Sequence, residues 1–162
     1  MEQPDLFSTS LRSLSEKSGC NHLMEPTKIE QSNIFCSAWK SAIRYESKLR
    51  PDFGLYADYH WKTNSRNEFI DWPDFGIPTY PNLAFKQIVG AFELGKQMNV
   101  EIGCIGGHGR TGTILSCMFI MDRSCSASEA IYLARTTYCP VAVETSRQEQ
   151  FVELFGEMFY EL

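Results

Sequence analysis

The pattern of apolar and polar positions predicts short strands in the first half of the chain. Short runs rich in aromatic and other apolar residues favour strands, and they occupy Ile34–Trp39, Phe53–Tyr59 and Phe69–Trp72. Closely spaced proline, glycine and aspartate residues from 73 to 81 then predict a loop.

The second half of the chain has helical periodicity. Apolar faces at the spacing of a helix predict helices over residues 82–98, 126–136 and 145–159, with Ser126 or Ser128 as the N-cap of the second. Early strands and late helices indicate an α/β or α+β domain.

The centre of the chain joins a strand to a helix through glycines. Val100–Cys104 reads as a short strand, a glycine-rich turn follows at 106–109, and Arg110–Met121 is apolar on almost every side. A helix of that composition is predicted to be buried rather than amphipathic.

Composition limits the class of protein. The chain has 162 residues, of which 43% are hydrophobic, and this suits one packed domain and excludes global disorder. Its net charge of −5 does not suit a strongly basic nucleic-acid binder. We expect no membrane span, and no secretory signal in the polar segment MEQPDLFSTS.

The N-terminal segment is the least structured in its pattern. We expect residues 1–30 to form a tail or a short docked helix carrying Phe7, Leu11 and Leu14, and residues 31–162 to form the folded domain.

The six cysteines do not indicate a metal centre. They lie at positions 20, 36, 104, 117, 125 and 139, with no Cys-x-x-Cys spacing. We expect reduced thiols, several of them in the core, although an even number leaves disulfides open.

The glycine-rich segment Gly103–Thr113 (GCIGGHGRTGT) carries the candidate chemistry. Glycines let backbone N–H groups turn toward one point, and the start of the following helix adds further N–H groups. Such a loop binds a tetrahedral dianion. A nucleotide-binding P-loop is rejected because Thr113 stands where that motif needs lysine.

Two residues at the ends of this loop indicate that it could react with a bound phosphate as well as bind it. Cys104 stands at its entrance and Arg110 at its exit. Inward amides, a helix dipole and a guanidinium favour the thiolate, which is the nucleophilic form of cysteine. The planar fork of Arg110 grips two phosphate oxygens at once.

These residues resemble a known family. The segment from Cys104 to Thr111 fits the Cys-x5-Arg-Ser/Thr signature of the cysteine-based protein tyrosine and dual-specificity phosphatases. The resemblance covers about residues 50–160. It implies a single-domain α/β phosphatase fold with a central mixed sheet flanked by helices, and a catalytic domain over residues 31–162.

A second motif, Trp72–Pro78 (WPDFGIP), resembles the WPD loop of tyrosine phosphatases and precedes Cys104 in the same order. Cleavage of a phosphoester needs a proton donor for the departing oxygen, and Asp74 is a carboxyl group in this turn. Asp74 could instead be only a turn-forming aspartate, and Asp71 is the rival acid.

A third and weaker match is Glu144–Phe151, which resembles the glutamine loop that positions the hydrolytic water. Family members often have glutamine at both of two positions. Here Glu144 replaces the first, so water positioning falls to Gln148 if this group is more than surface decoration of a helix.

The sequence also departs from the family. Gly103 stands where the family usually has histidine before its cysteine, so a contribution to the thiolate is expected to be missing. No counterpart of the phosphotyrosine-recognition loop is found, and the short chain favours the compact dual-specificity architecture.

The resemblance implies specific roles. Cys104 is the nucleophile, Asp74 the general acid and then base, Gln148 the water-orienting group, and Thr111 assists the departure of sulfur. The phosphate-binding residues are listed in chain order as Ile105, Gly106, Gly107, His108, Gly109 and Arg110. No cofactor or metal is expected. We expect a phosphorylated protein or peptide as substrate and a cytoplasmic location.

Several alternatives stay open. The substrate could be an RNA 5′-phosphate or a phosphoinositide, or the fold could bind phosphate without catalysis. For His108 we favour a solvent-facing side chain over one that tunes the pocket. Aromatic residues near the predicted loop are expected in the core more often than in a pocket wall: Tyr56, Tyr59, Trp61 and Tyr80.

Overall fold

The computed structural model describes residues 27–29, 32–39, 50–61 and 66–161. The strands are β1 (Thr27–Lys28), β2 (Ile34–Ala38), β3 (Phe53–Tyr56), β4 (Arg66–Phe69) and β5 (Val100–Cys104). The helices are α1 (Pro81–Gly95), α2 (Gly109–Arg123), α3 (Ala127–Thr137) and α4 (Ser146–Tyr160).

The strands form one mixed sheet in the order β1-β2-β5-β3-β4. The β2–β5, β5–β3 and β3–β4 pairs are parallel, and β1 joins β2 antiparallel. The carboxyl ends of β2, β3 and β5 therefore meet at one edge, where Ala38 pairs with Cys104 and Tyr56 with Gly103. Ligands of parallel sheets bind outside this edge.

Helix α2 runs through the core, as its continuous apolar sequence predicts. Every residue from Gly109 to Ile120 is buried, and the helix packs against β5, α3 and α4. Two of its buried hydroxyl groups are satisfied within the helix: Thr113 Oγ1 donates to the Gly109 carbonyl at 2.7 Å, and Ser116 Oγ to the Gly112 carbonyl at 2.8 Å.

Both later helices begin at a residue whose side chain caps them, and Ser126 is one of the two predicted N-caps. Ser126 caps α3 in a reciprocal capping box with Glu129, and Thr145 caps α4 by accepting from the Gln148 N–H. Helix α1 ends at Gly95, three residues before the predicted end at residue 98. A Cβ at Gly95 would collide with Ile34 of β2.

The predicted third strand, Phe69–Trp72, is wrong in position. The strand is Arg66–Phe69, an edge strand with exposed polar residues that pairs through its backbone with β3. The apolar residues that suggested the strand, Ile70 and Trp72, are buried in the core as the chain leaves the sheet.

Part of the predicted N-terminal tail joins the sheet, because Thr27–Lys28 forms β1. The possible helix at Phe7, Leu11 and Leu14 lies outside the described residues. Within the ranges that are described, the helices are too short or too polar to cross a membrane.

Candidate active site

The loop between β5 and α2 turns a backbone amide toward the thiol of Cys104. The Gly107 N–H donates to Cys104 Sγ at 3.2 Å, while the Gly107 carbonyl accepts from the Tyr138 hydroxyl at 2.5 Å. The peptide group of Gly107 therefore has its N–H inward and its oxygen outward. Gly107 has φ 72°, a conformation that glycine adopts without steric cost.

Cys104 is only 2% exposed and lies at the floor of this loop. Besides the Gly107 amide, the Thr111 hydroxyl donates to its sulfur at 3.0 Å. Two donors are thus directed at one sulfur. Thr111, the residue predicted to assist the departure of the sulfur, is in contact with it.

Arg110, at the exit of the same loop, is buried and only 4% exposed. Contacts to one nitrogen of its guanidinium, Nη1, hold the side chain in position. Its Nη1 donates to the carbonyl oxygens of Ala57 at 2.8 Å and Trp72 at 3.1 Å, and lies 3.5 Å from Asp58 Oδ2. Its Nε has no hydrogen-bond partner among the described residues. An oriented guanidinium with a free donor suits an oxyanion.

Asp74 reaches the other side of Arg110. Its Oδ1 lies 3.4 Å from Arg110 Nη2, and its side chain is 58% exposed. The structure therefore brings Asp74 to Arg110, at the exit of the loop that begins at Cys104. The rival Asp71 is exposed and lines a neighbouring groove of about 200 Å³ together with Tyr59 and Tyr80.

Hydrogen bonds hold the segment that carries Asp74. The Trp72 indole donates to the Gly76 carbonyl at 2.7 Å, and the Gly76 N–H donates to the Pro73 carbonyl at 3.0 Å. The Thr145 hydroxyl donates to the Phe75 carbonyl at 3.1 Å, which ties this segment to the N-cap of α4.

Gln148 and Glu144 lie together at the start of α2. Gln148 is fully buried, its Oε1 accepts from the Glu144 N–H at 2.8 Å, and its Nε2 has no partner among the described residues. A Cβ at Gly109 would collide with the Glu144 carboxylate. Burial raises the pKa of Glu144, nearby Asp74 raises it further, and Arg110 opposes both.

The prediction that His108 faces solvent is wrong. The side chain is half-buried, and its Nδ1 lies 3.2 Å from Cys139 Sγ. Burial lowers the pKa of His108. The imidazole therefore packs against the segment after α3. Ile105 and Gly106 are half-buried in the same loop.

The structure gives a physical reason for Gly103. A Cβ at this position would collide with the ring of Trp61, which stacks on Tyr56 with centroids 4.2 Å apart. Both rings are buried, as expected of core residues, whereas Tyr59 and Tyr80 are exposed. The indole thus takes the space that a side chain before Cys104 would need.

Sequence reasoning missed Asp58 and Tyr138. Asp58 follows the carboxyl end of β3, lies beside Arg110 and holds His60 Nδ1 at 2.6 Å. That position at the shared edge of the sheet was a usable signal. Tyr138 orients the loop from the end of α3, and nothing local in the sequence marks it.

Solved structures share this architecture. A leucine rich repeat and phosphatase domain containing protein from Entamoeba histolytica superposes with a TM-score of 0.67 at 17% identity, covering 86% of this chain and 95% of that one. Tk-PTP in its active form gives 0.63 at 22% identity, with 80% and 95% covered. The Yvh1 phosphatase domain from Chaetomium thermophilum gives 0.66 at 16% identity, with 84% and 98% covered.

The chain therefore has the fold of the cysteine-based protein tyrosine and dual-specificity phosphatases, and the predicted fold class is confirmed. This likeness in structure places the Cys104 loop, the Arg110 guanidinium and the Asp74 segment within a compact phosphatase fold.

Relatives found by sequence match only part of the chain. Two uncharacterized proteins of Methanocaldococcus jannaschii are 36% and 34% identical to the chain over 84 residues, 52% of this chain. The chain spans about half the length of these curated relatives, 51% and 55%. No model of a known protein family matches the chain.

Proposed function

We propose that the chain is a cysteine-dependent phosphatase that hydrolyses phosphomonoesters through a cysteinyl-phosphate intermediate. The observation that carries the proposal is the meeting of three groups at one loop. Cys104 Sγ accepts from an inward amide of the loop, Arg110 is buried at the exit of the same loop, and the Asp74 carboxylate lies 3.4 Å from the Arg110 guanidinium. The phosphatase fold agrees with this assignment.

Binding would use the free donors of the loop. The unpartnered Nε of Arg110, together with the backbone N–H groups of residues 105–110, would hold the non-bridging oxygens of the ester. Because Arg110 is fixed by two carbonyls and by Asp58, it needs no rearrangement when the phosphate arrives.

In the first step the Cys104 thiolate attacks phosphorus. A sulfur–phosphorus bond forms as the bond from phosphorus to the ester oxygen breaks, and the electron pair goes to that oxygen. Asp74 gives its proton to the departing oxygen, because its carboxyl group is exposed and lies 3.4 Å from the guanidinium that would hold the phosphate.

In the second step water attacks the cysteinyl phosphate. An oxygen–phosphorus bond forms, the sulfur–phosphorus bond breaks, and the electron pair returns to Cys104. The Thr111 hydroxyl, 3.0 Å from the sulfur, stabilises the departing thiolate. Gln148 orients the water, and a carboxylate beside the loop takes its proton. The family motif implies Asp74 for this role, since it is a carboxylate after the first step.

The favoured substrate is a phosphorylated protein or peptide, with phosphotyrosine first and phosphoserine or phosphothreonine also accepted. Tyr59 and Tyr80 line the groove beside the acid segment and suit an aromatic ester. The net charge of −5 disfavours highly charged substrates such as phosphoinositides or RNA ends. We also propose a cytoplasmic location, because a thiolate nucleophile must stay reduced.

The test is hydrolysis of p-nitrophenyl phosphate by the full chain, with and without vanadate, beside C104S and the matched control C125S. We expect vanadate-sensitive turnover, a loss on the order of 10³-fold or more in C104S, and wild-type rates in C125S, since Cys125 follows the end of α2 that lies away from the Cys104 loop. A C104S rate within a few-fold of wild type would overturn the mechanism. Phosphate binding without turnover in the wild type would indicate a non-catalytic module.

A panel of phosphopeptides, an RNA 5′-phosphate and a phosphoinositide then tests the substrate class. Phosphotyrosine peptides should have the highest kcat/KM, and preference for either polyanion would overturn the proposed substrate while leaving the chemistry intact.

A further inference from the structure

We propose that Glu144, rather than Asp74, takes the proton of the water that hydrolyses the cysteinyl phosphate. The proposal rests on the proposed phosphatase function and deepens its second step. It assigns two carboxylates to two proton transfers: Asp74 serves the leaving group, and Glu144 serves the water.

The position of Glu144 is the first argument. Its carboxylate lies against Gly109, the first residue of α2, in space that any Cβ at that residue would occupy. Gly109 belongs to the loop that would hold the phosphate. The carboxylate thus lies at the edge of the loop, close enough to Asp74 and Arg110 for both to influence its proton affinity.

The neighbouring amide is the second argument. Gln148 Oε1 accepts from the Glu144 N–H at 2.8 Å and would lie 3.0 Å from a Cβ at Gly109, so both side chains converge on that point. The buried Nε2 of Gln148 lacks a partner among the described residues. An amide donor beside a carboxylate acceptor can orient a water through its lone pair and accept its proton.

The support of this segment is the third argument. Arg135 donates from Nε to the Ala142 carbonyl at 3.0 Å and from Nη2 to the Val143 carbonyl at 2.8 Å. Its Nη2 also contacts Glu149 Oε1 at 2.9 Å. The backbone that presents Glu144 is therefore held from α3 and α4, as a positioned base requires.

The negative charge that Asp74 gains in the first step favours Glu144 as the base in the second step. Asp74 becomes a carboxylate when it protonates the leaving group, and its negative charge raises the pKa of Glu144, whereas Arg110 lowers it. The first proton transfer thus strengthens the base that the second needs. The proton passes from water to a Glu144 oxygen and later to solvent, so the cycle balances without another reactant.

The test separates the two steps kinetically with E144Q, p-nitrophenyl phosphate and a rapid-mixing instrument. In a two-step reaction that releases p-nitrophenol first, kcat/KM reports formation of the cysteinyl phosphate, and a slowed second step appears as a burst. We expect kcat to fall about tenfold or more, kcat/KM to stay within about twofold, and a burst near one p-nitrophenol per chain.

The matched control is E153Q, which removes an exposed carboxylate on α4 and should behave as wild type. If kcat and kcat/KM fall together in E144Q without a burst, or if neither changes, the role of Glu144 is overturned while the phosphatase proposal stands. If the wild-type chain itself has no turnover, the failure lies in the proposed function.

Discussion

The loop that carries Cys104 and the segment that carries Asp74 meet at the same site but are built differently. Cys104, Arg110 and Thr111 are buried at 2%, 4% and 0% exposure, and each contacts atoms of the core. Asp74 and Phe75 are 58% and 60% exposed and are held by hydrogen bonds at the surface.

In the proposed mechanism this difference separates phosphate binding from proton transfer. Cys104 and Arg110, the proposed nucleophile and phosphate-binding group, are fixed by the packing that holds the sheet to α2, so they are in place before a substrate arrives. Asp74, the proposed acid, lies outside that packing. Substitutions in the Cys104 loop should therefore affect stability as well as activity, whereas substitutions at Asp74 should affect activity alone.

Among the substitutions that probe this difference, the largest effect is expected for R110K, which keeps the charge and removes the planar fork. Lysine cannot contact the Ala57 and Trp72 carbonyls and also present a free donor at the position of Nε. We expect kcat/KM to fall about 10²- to 10³-fold and the melting temperature to fall as well. Steady-state kinetics measures kcat/KM, and thermal unfolding measures the melting temperature. Lost activity with an unchanged melting temperature would contradict the expectation that this loop determines both activity and stability.

A smaller and more selective effect is expected for D74N. Phenyl phosphate has a poor leaving group and should lose about 10²-fold in rate, whereas dinitrophenyl phosphate should lose much less, because its leaving group needs no proton. The melting temperature should not change, since the side chain is exposed. Equal losses for both substrates would show that Asp74 is not the general acid.

The smallest effect concerns the pH dependence of stability at His108. Burial lowers its pKa below the ordinary value of 6.5, so the unfolded chain binds more protons as the pH falls past that value. His108 therefore contributes stability above pH 6.5 that is lost as the pH falls through its folded pKa. In H108Q the melting temperature should fall less between neutral and acidic pH than in wild type. Equal falls would show that the imidazole does not titrate differently on folding.

The two regions also differ in how far the sequence predicts them. The strand, glycine turn and buried helix around Cys104 follow from local apolar patterns and from the spacing to Arg110, and the structure has them at those positions. The Asp74 segment was located by its motif. The strand before it was predicted at the wrong residues, because the residues that pair with β3 are polar.

Local sequence patterns could not predict contacts between parts of the chain that are distant in sequence. Asp58 after β3 lies beside Arg110 in α2, Tyr138 at the end of α3 contacts Gly107, and the carboxylate of Glu144 lies against Gly109. Each depends on how strands and helices pack rather than on spacing within a motif. Sequence reasoning noticed Glu144 only as a departure from glutamine.

The most direct test of the central claim is to locate the covalent intermediate. The chain is mixed rapidly with an aryl phosphate, quenched in denaturant during turnover, digested, and mapped by mass spectrometry. The account predicts a phosphate adduct on the peptide that contains Cys104, formed as fast as p-nitrophenol is released. Turnover with the adduct on any other residue, or with no adduct even when the second step is slowed by E144Q, would contradict it.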